Sequence, residues 1–153
     1  MFNESIIINA KIFAWNTFLN GYLTIRDGKI LKIEKGMPET ADCSRDIIDA
    51  KGQMLIPGFV DIHTHGAVGF NFMNSYDNSN VLSGLSHYYA STGTTSVMAS
   101  TYTESYDNIK KTLQSIGEYI KTQEEKITGT QIIGINIEGP YINADKKGAQ
   151  NAD

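Results

Sequence analysis

The sequence predicts an α/β protein in two parts, a strand-rich part over residues 1–56 and a strand–helix alternation over residues 57–153. Three observations support this. Short apolar or alternating runs, separated by turn residues, fill the first part. After Pro57-Gly58 the patterns follow the order strand, helix, strand, helix, strand, the repeat of a parallel α/β sheet or barrel. The last of these strands, residues 132–137, is almost continuously apolar, as is typical of a strand buried on both faces.

Four or five short strands are predicted in the N-terminal part. Residues 6–8 are three isoleucines, a buried-strand signal. Two alternating runs flank Asp27-Gly28, which predicts a hairpin because glycine accepts the positive φ of a type I′ turn. After a polar loop over residues 34–46, a further pair of strands is expected around Lys51-Gly52. Together these strands predict a small sheet or half of a sandwich.

The second part is predicted to contain three strands and two helices. Val81, Leu82, Leu85 and Tyr89 recur at helical spacing, and Gly93 is a stop signal for that helix. Apolar residues at steps of four, three and four predict a longer helix over residues 105–122. The three strands are expected at residues 59–65, 94–100 and 132–137.

Composition excludes several classes of protein. A net charge of −4, with scattered basic residues, argues against nucleic-acid binding. No apolar run approaches the ~18 residues that span a bilayer, and no signal peptide is recognisable, so no membrane partner is expected. The single cysteine, Cys43, lies in a polar loop without an activating partner and is compatible with a reducing, cytoplasmic location.

A pair of histidines is the first candidate for chemistry. His63 and His65 are two positions apart on a predicted strand, so their side chains share a face about 7 Å apart. At the C-terminal end of a parallel strand, two imidazoles can converge on one cation. The alternative is a pair of histidines hydrogen-bonded in a polar pocket, because a bare HxH pattern is common.

Glu138 is the second candidate. Counting by two from Ile132 places Gly134, Asn136 and Glu138 on one face, and leaves Ile133, Ile135 and Ile137 to pack against helices. If this strand lies in one barrel with the first, Glu138 points to the same mouth as the histidines. A carboxylate and two imidazoles suit a divalent metal. The alternative is an exposed glutamate at the start of a loop.

Other candidates are weaker. Residues 141–150 contain two lysines and a glycine that could meet an anionic or hydroxyl-rich ligand, although a solvated loop is the simpler interpretation. His87 is expected to be a surface or packing residue rather than a ligand. No glycine-rich phosphate loop, dinucleotide fingerprint or G-x-S-x-G elbow is present.

Three segments together resemble a known family. LIPGFVDIHTHG is similar to the amidohydrolase superfamily, and STGTTSVMAST with GINIEGPYINADKKGAQ resembles the N-acetylglucosamine-6-phosphate deacetylase family within it. The resemblance implies a (β/α)8 TIM-like barrel with a small β-sandwich, of which residues 1–56 would be part of the sandwich and residues 57–153 the first three barrel strands.

The resemblance also implies the chemistry. Family members use divalent metal, with zinc or iron expected and one or two ions, to hydrolyse N-acetylglucosamine 6-phosphate to glucosamine 6-phosphate and acetate in amino-sugar catabolism. Glu138 matches the principal metal ligand, and His63 and His65 match the HxH pair of some members. Ala149 and Gln150 match the loop that touches the sugar, where several members have His in place of Gln150. The full-length family is commonly homodimeric.

The chain is expected to be an N-terminal piece of such an enzyme. In the family the catalytic aspartate and two further histidine ligands come from later strands, which lie beyond residue 153. We therefore expect negligible deacetylase activity and poor solubility from this chain alone. Two alternatives are another amidohydrolase of dihydroorotase or hydantoinase type, in which a carboxylated lysine often bridges two metals, and a non-catalytic truncated product.

Overall fold

The computed structural model describes residues 4–39, 46–125 and 128–151. It divides into two compact units, Met1–Pro57 and Gly58–Asp153. Cys43 and the 40–45 part of the predicted polar loop lie outside the described residues. Neither described helix is both long enough and apolar enough to cross a bilayer.

The first unit contains one five-stranded sheet. Antiparallel pairing joins β1 (Glu4–Ala14), β2 (Thr17–Arg26) and β3 (Lys29–Lys35), and the β2–β3 turn has positive φ at Asp27 (50°) and Gly28 (75°). This confirms the predicted hairpin. One face of the sheet has a small apolar core. Its buried members are Ala10, Ile12, Leu19 and Leu23.

The last two strands of this unit correct a prediction. β4 (Asp46–Asp49) and β5 (Met54–Leu55) do not pair with each other, and each pairs with β1 in parallel. The reason is the turn between them, in which Asp49 Oδ1 accepts hydrogen bonds from the backbone N–H of Lys51 and from the Asn9 amide, at 2.8 and 2.9 Å. The Lys51 bond closes the turn and the Asn9 bond holds it against β1, so the chain continues along β1 instead of folding back.

The second unit confirms the predicted alternation of strands and helices. β6 (Phe59–Thr64), β9 (Thr94–Ser100) and β10 (Gln131–Asn136) form a parallel sheet with β9 in the centre. The connections contain α1 (Asn80–Ser91) and α2 (Tyr106–Glu125). Between β6 and α1, a short antiparallel pair, β7 (Gly66–Ala67) and β8 (Phe70–Asn71), precedes a 3-10 helix at Phe72–Asn74.

The core of the second unit lies between its helices and one face of the sheet. Leu85 of α1, Ile116 of α2 and Val97 of β9 are completely buried, and Ile132 of β10 is 1% exposed. Burial of each such side chain is worth roughly 1.5–3 kcal/mol. This packing holds the three strands side by side, so that their C-terminal ends meet at one edge.

The face pattern of β10 differs from the sequence prediction. Ile132 and Ile135 pack against the helix-side core, whereas Ile133 is 47% exposed and Ile137 is 56% exposed. The cause is a register shift, because Ile132 pairs with Val97 and Gly134 with Met98, so one extra residue is inserted in β10. A single extra residue reverses the inward and outward alternation of a strand. The predicted faces are therefore wrong for Ile132 and Ile133 and right for Ile135. Ile137, which was also predicted to pack against helices, is exposed.

Candidate metal centre

The two predicted histidines and the predicted glutamate come together at one edge of the parallel sheet. His63 lies near the C-terminal end of β6, and His65 is the first residue after that strand. Glu138 lies two residues after the end of β10. Parallel strands that are neighbours in a sheet present their C-terminal ends at the same edge, which is where α/β sheets and barrels form their sites. The central strand β9 supplies no ionisable side chain.

The three side chains are within coordination range of one another. Glu138 Oε2 lies 3.1 Å from His63 Nε2 and 3.2 Å from His65 Nε2. The candidate ligand atoms all lie within 4.8 Å of one another, and the two imidazole rings are nearly perpendicular, with centroids 5.2 Å apart. One carboxylate oxygen and two imidazole nitrogens thus converge on a common point.

Two buried atoms of this cluster make no hydrogen bond in the structure. They are Glu138 Oε2 and His65 Nδ1. A buried carboxylate oxygen without a hydrogen-bond donor is costly unless a cation satisfies it. A carboxylate with two imidazoles is a donor set suited to zinc or iron. The residues present therefore fit a divalent metal ion.

Asn136 is the neighbour of His63 on the side of the ring away from Glu138. The Asn136 Nδ2 amino group lies 2.7 Å from His63 Nδ1 and 3.3 Å from Ser100 Oγ. With the amide in this orientation its N–H donates to Nδ1, which assigns the proton of a neutral His63 ring to Nε2. Nε2 lies 3.1 Å from Glu138 Oε2 but makes no hydrogen bond to it. The backbone N–H of His63 is held separately by Asp61 Oδ1 at 3.1 Å.

Gln150 also reaches the cluster. Its Nε2 donates to Glu138 Oε1 at 2.7 Å, while its Oε1 accepts from the backbone N–H of Thr103 at 2.6 Å. The turn that follows Glu138 is close to Thr103 as well. Gly139 has a φ of +79°, and a Cβ there would come 2.4 Å from Thr103 Oγ1, so glycine is needed at this position.

The remaining predicted residues lie away from the three ligand atoms. Ala149 is exposed in a turn next to Gln150. Lys147 Nζ donates to the Gln150 carbonyl at 2.9 Å, and Lys146 is exposed at the end of a short 3-10 helix. His87 is exposed on α1, where its Nδ1 lies 2.7 Å from the Ser83 carbonyl. His87 is therefore a surface residue, as the sequence predicts.

Four residues of the site were not identified from the sequence. Thr101 anchors the backbone of Glu138, because its Oγ1 accepts from the Glu138 N–H at 3.0 Å. Thr103 and Ser100 bind the amides of Gln150 and Asn136. A signal was available for Asn136, which shares a strand face with Glu138. Ser100 at the end of β9, and Thr101 and Thr103 just after it, carry no comparable signal, because no spacing pattern links them to Glu138.

Comparisons with known proteins all match this chain to amidohydrolases. Residues 46–118 match the amidohydrolase family. N-acetylglucosamine-6-phosphate deacetylase from Bacillus subtilis is 34% identical over 149 residues, which is 96% of this chain and 37% of the relative. The crystal structure of the Pasteurella multocida deacetylase has a TM-score of 0.81 at 28% identity, covering 97% of this chain and 37% of its own.

A second solved structure agrees with the first. The deacetylase from Thermotoga maritima has a TM-score of 0.74 at 32% identity, and the match covers 95% of this chain and 35% of that one. The chain thus spans somewhat more than a third of the length of each of these relatives.

Proposed function

We propose that this chain, which belongs to the amidohydrolase family and matches somewhat more than a third of the length of its N-acetylglucosamine-6-phosphate deacetylases, is the N-terminal portion of such an enzyme and supplies part of its metal centre. The reaction would be hydrolysis of N-acetylglucosamine 6-phosphate to glucosamine 6-phosphate and acetate. The observation that carries the proposal is the convergence of His63, His65 and Glu138 at one sheet edge.

These three residues would hold a divalent ion, zinc or iron. When bound, such an ion supplies hydroxide near neutral pH and polarises the carbonyl of the substrate. Glu138 would provide the charge that neutralises the cation, and its Oε2 already lies between both histidines. For His63 Nε2 to become a ligand, its proton must move to Nδ1. The Asn136 amide would then turn so that its Oδ1 accepts that proton's hydrogen bond.

The proposed domains, substrate contacts and partners of the protein are taken from the same deacetylase relatives. We assign residues 1–56 to part of a small β-sandwich and residues 57–153 to the start of a (β/α)8 barrel. This is supported by the five-stranded sheet and the parallel sheet of the two units. Ala149 and Gln150 would lie near a sugar phosphate, since they are on the loop that follows Glu138. A cytoplasmic homodimer without nucleic-acid or membrane partners is the corresponding proposal for the full-length enzyme.

A hydantoinase-type centre is the less favoured alternative. Those enzymes often use a carboxylated lysine to bridge two metals. Here the side chain beyond β10 that meets both histidines is a glutamate, so the deacetylase arrangement accounts for the site directly.

A titration of the 153-residue chain with zinc, followed by calorimetry, tests the metal centre. We expect saturable, stoichiometric binding that is weakened at least tenfold by Glu138→Gln and by His63→Ala, because each change removes a charge or a donor atom. His87→Ala is the matched control and should bind as the unchanged chain does. Absence of stoichiometric binding by the unchanged chain, or an equal loss in His87→Ala, would contradict the proposal.

A further inference from the structure

We propose that Gln150 is a positioning residue for Glu138, whose carboxylate it holds so that Oε2 faces both histidines. This inference rests on the proposed metal centre and deepens it. It gives the Gln150 side chain a task different from the sugar contact expected from the sequence, because its amide is already engaged with a carboxylate and a backbone N–H.

The Gln150 side chain is held at both ends of its amide. Oε1 accepts from the Thr103 N–H at 2.6 Å, which leaves the amino group pointing toward Glu138. The backbone is held as well, because Gln150 N–H donates to the Lys147 carbonyl at 3.1 Å and the Gln150 carbonyl accepts from Lys147 Nζ at 2.9 Å. A side chain anchored in this way has little rotamer freedom left to lose when it orients a neighbour.

The two carboxylate oxygens of Glu138 consequently have different partners. Oε1 accepts the 2.7 Å hydrogen bond from Gln150, and Oε2 is left for His63 and His65 at 3.1 and 3.2 Å. A free glutamate side chain rotates about three bonds, and a bond to one oxygen selects the rotation that presents the other. Carboxylate ligands of metals are usually held by such hydrogen bonds, and losing one typically costs 10–100-fold in metal affinity.

The link also joins two strand ends. Thr103 follows the central strand β9, and Glu138 follows β10, so the Gln150 amide connects them across the edge where the ligands converge. Glu138 is separately anchored through its backbone N–H by Thr101 Oγ1. The backbone position of Glu138 is thus set by Thr101, whereas the direction of its carboxylate depends on Gln150.

The test is a zinc titration of the 153-residue chain and two variants of residue 150. Gln150→Met keeps the length of the side chain and removes both hydrogen bonds, and we expect zinc affinity to fall about 10–100-fold. Gln150→His retains one N–H donor and one acceptor nitrogen, so it should bind within a few-fold of the unchanged chain. Gln131→Met, at the exposed opposite end of β10, is the control and should have no effect.

A second readout separates orientation from loop packing. The visible absorption of bound cobalt(II) depends on its coordination geometry, so the spectrum should change in Gln150→Met and return in Gln150→His. Equal zinc affinity in the unchanged chain and in Gln150→Met would overturn the inference and leave the metal centre standing. So would a Gln150→His variant as weak as Gln150→Met. If Gln150→Met fails to fold by circular dichroism, Gln150→His alone decides, and a zinc affinity more than tenfold below that of the unchanged chain would overturn the inference. Failure of the unchanged chain to bind zinc would overturn both.

Discussion

At the scale of single residues, the proton on His63 is the most consequential detail of the site. The Asn136 amino group at 2.7 Å keeps Nδ1 as an acceptor and leaves the proton on Nε2, facing Glu138. A histidine that binds metal through Nε2 must carry its proton on Nδ1, where a carbonyl or carboxylate commonly accepts it. Asn136 can serve both states because its amide has a donor and an acceptor.

Replacing Asn136 by aspartate should therefore tighten metal binding. A carboxylate can only accept, so it would hold the proton on Nδ1 of His63 and free Nε2 before the ion arrives. We expect zinc affinity to rise by roughly tenfold, measured by competition with a chelator of known affinity.

Gln131→Glu is the charge-matched control for this change, because it also converts an amide to a carboxylate on β10, at the opposite end of the strand. If Gln131→Glu tightens binding as much as Asn136→Asp does, general electrostatic attraction would account for the effect. Weaker binding by Asn136→Asp would contradict the proposed role of the tautomer.

At the scale of elements, the sequence predicts which helices and strands form better than it predicts which strands pair with each other. The Asp27-Gly28 hairpin, both helices and the three strands of the second unit follow from local patterns, and the structure confirms them. The parallel addition of β4 and β5 to β1 is accompanied by hydrogen bonds between Asn9 and a turn about 40 residues away, in which the Asn9 amide donates to Asp49 and the Asn9 carbonyl accepts from the Gly52 N–H. No local pattern contains these contacts.

The same limit applies to the site. His63, His65 and Glu138 could be placed at strand ends because parallel strands share an edge. The bulge in β10 could not be foreseen, because an extra residue in a run of isoleucines leaves the composition of the run unchanged. The hydrogen-bond partners Thr101 and Thr103 depend on how two loops meet, which is a tertiary property.

The turn that holds β4 and β5 against β1 should depend on pH. The Lys51 N–H, and after it the Asn9 amide, hold the pKa of the Asp49 carboxyl below its ordinary value of 3.8. A lowered pKa stabilises the folded state at pH values above the ordinary pKa, and this stabilisation is lost as the pH falls through the folded value. Asp49→Asn should therefore lower the unfolding midpoint near neutral pH, and the difference should vanish in acid.

Thermal unfolding followed by circular dichroism at each pH gives these midpoints. Asp46→Asn, which removes another exposed carboxylate of β4, provides the comparison. A loss in Asp49→Asn that is the same at every pH would show that the charge of Asp49 is not involved.

At the scale of the whole molecule, the exposed apolar side chains of the second unit stand out. Val60 and Ile62 of β6 are 58% and 67% exposed, and Ile133 of β10 is 47% exposed. β6 and β10 are the two edge strands of this sheet, because among the described residues each of them pairs only with β9. Unpaired apolar edge strands are sites of aggregation, and natural proteins blunt them with lysine.

Val60→Lys combined with Ile133→Lys should accordingly reduce self-association of the chain. We expect lower light scattering at micromolar concentration, with zinc affinity retained because neither side chain is a ligand. Tyr106→Lys combined with Gln114→Lys adds the same two positive charges at exposed positions of α2 and is the control for charge alone. An equal improvement in this control would show that net charge, and not the strand edges, governs solubility.

The distance along the chain between the ligands has a thermodynamic consequence. His63 and its partner Asn136 are 73 positions apart, so the binding site exists only while the three-stranded sheet is assembled. By mass action, an ion that binds only the folded chain adds about 2.7 kcal/mol of stability at a hundredfold excess over its dissociation constant. That ion would join β6 to β10 across a central strand that provides no ligand. The slowest hydrogen–deuterium exchange after loading should then occur in the amides of β9, which lie away from the ion but cannot open without releasing it.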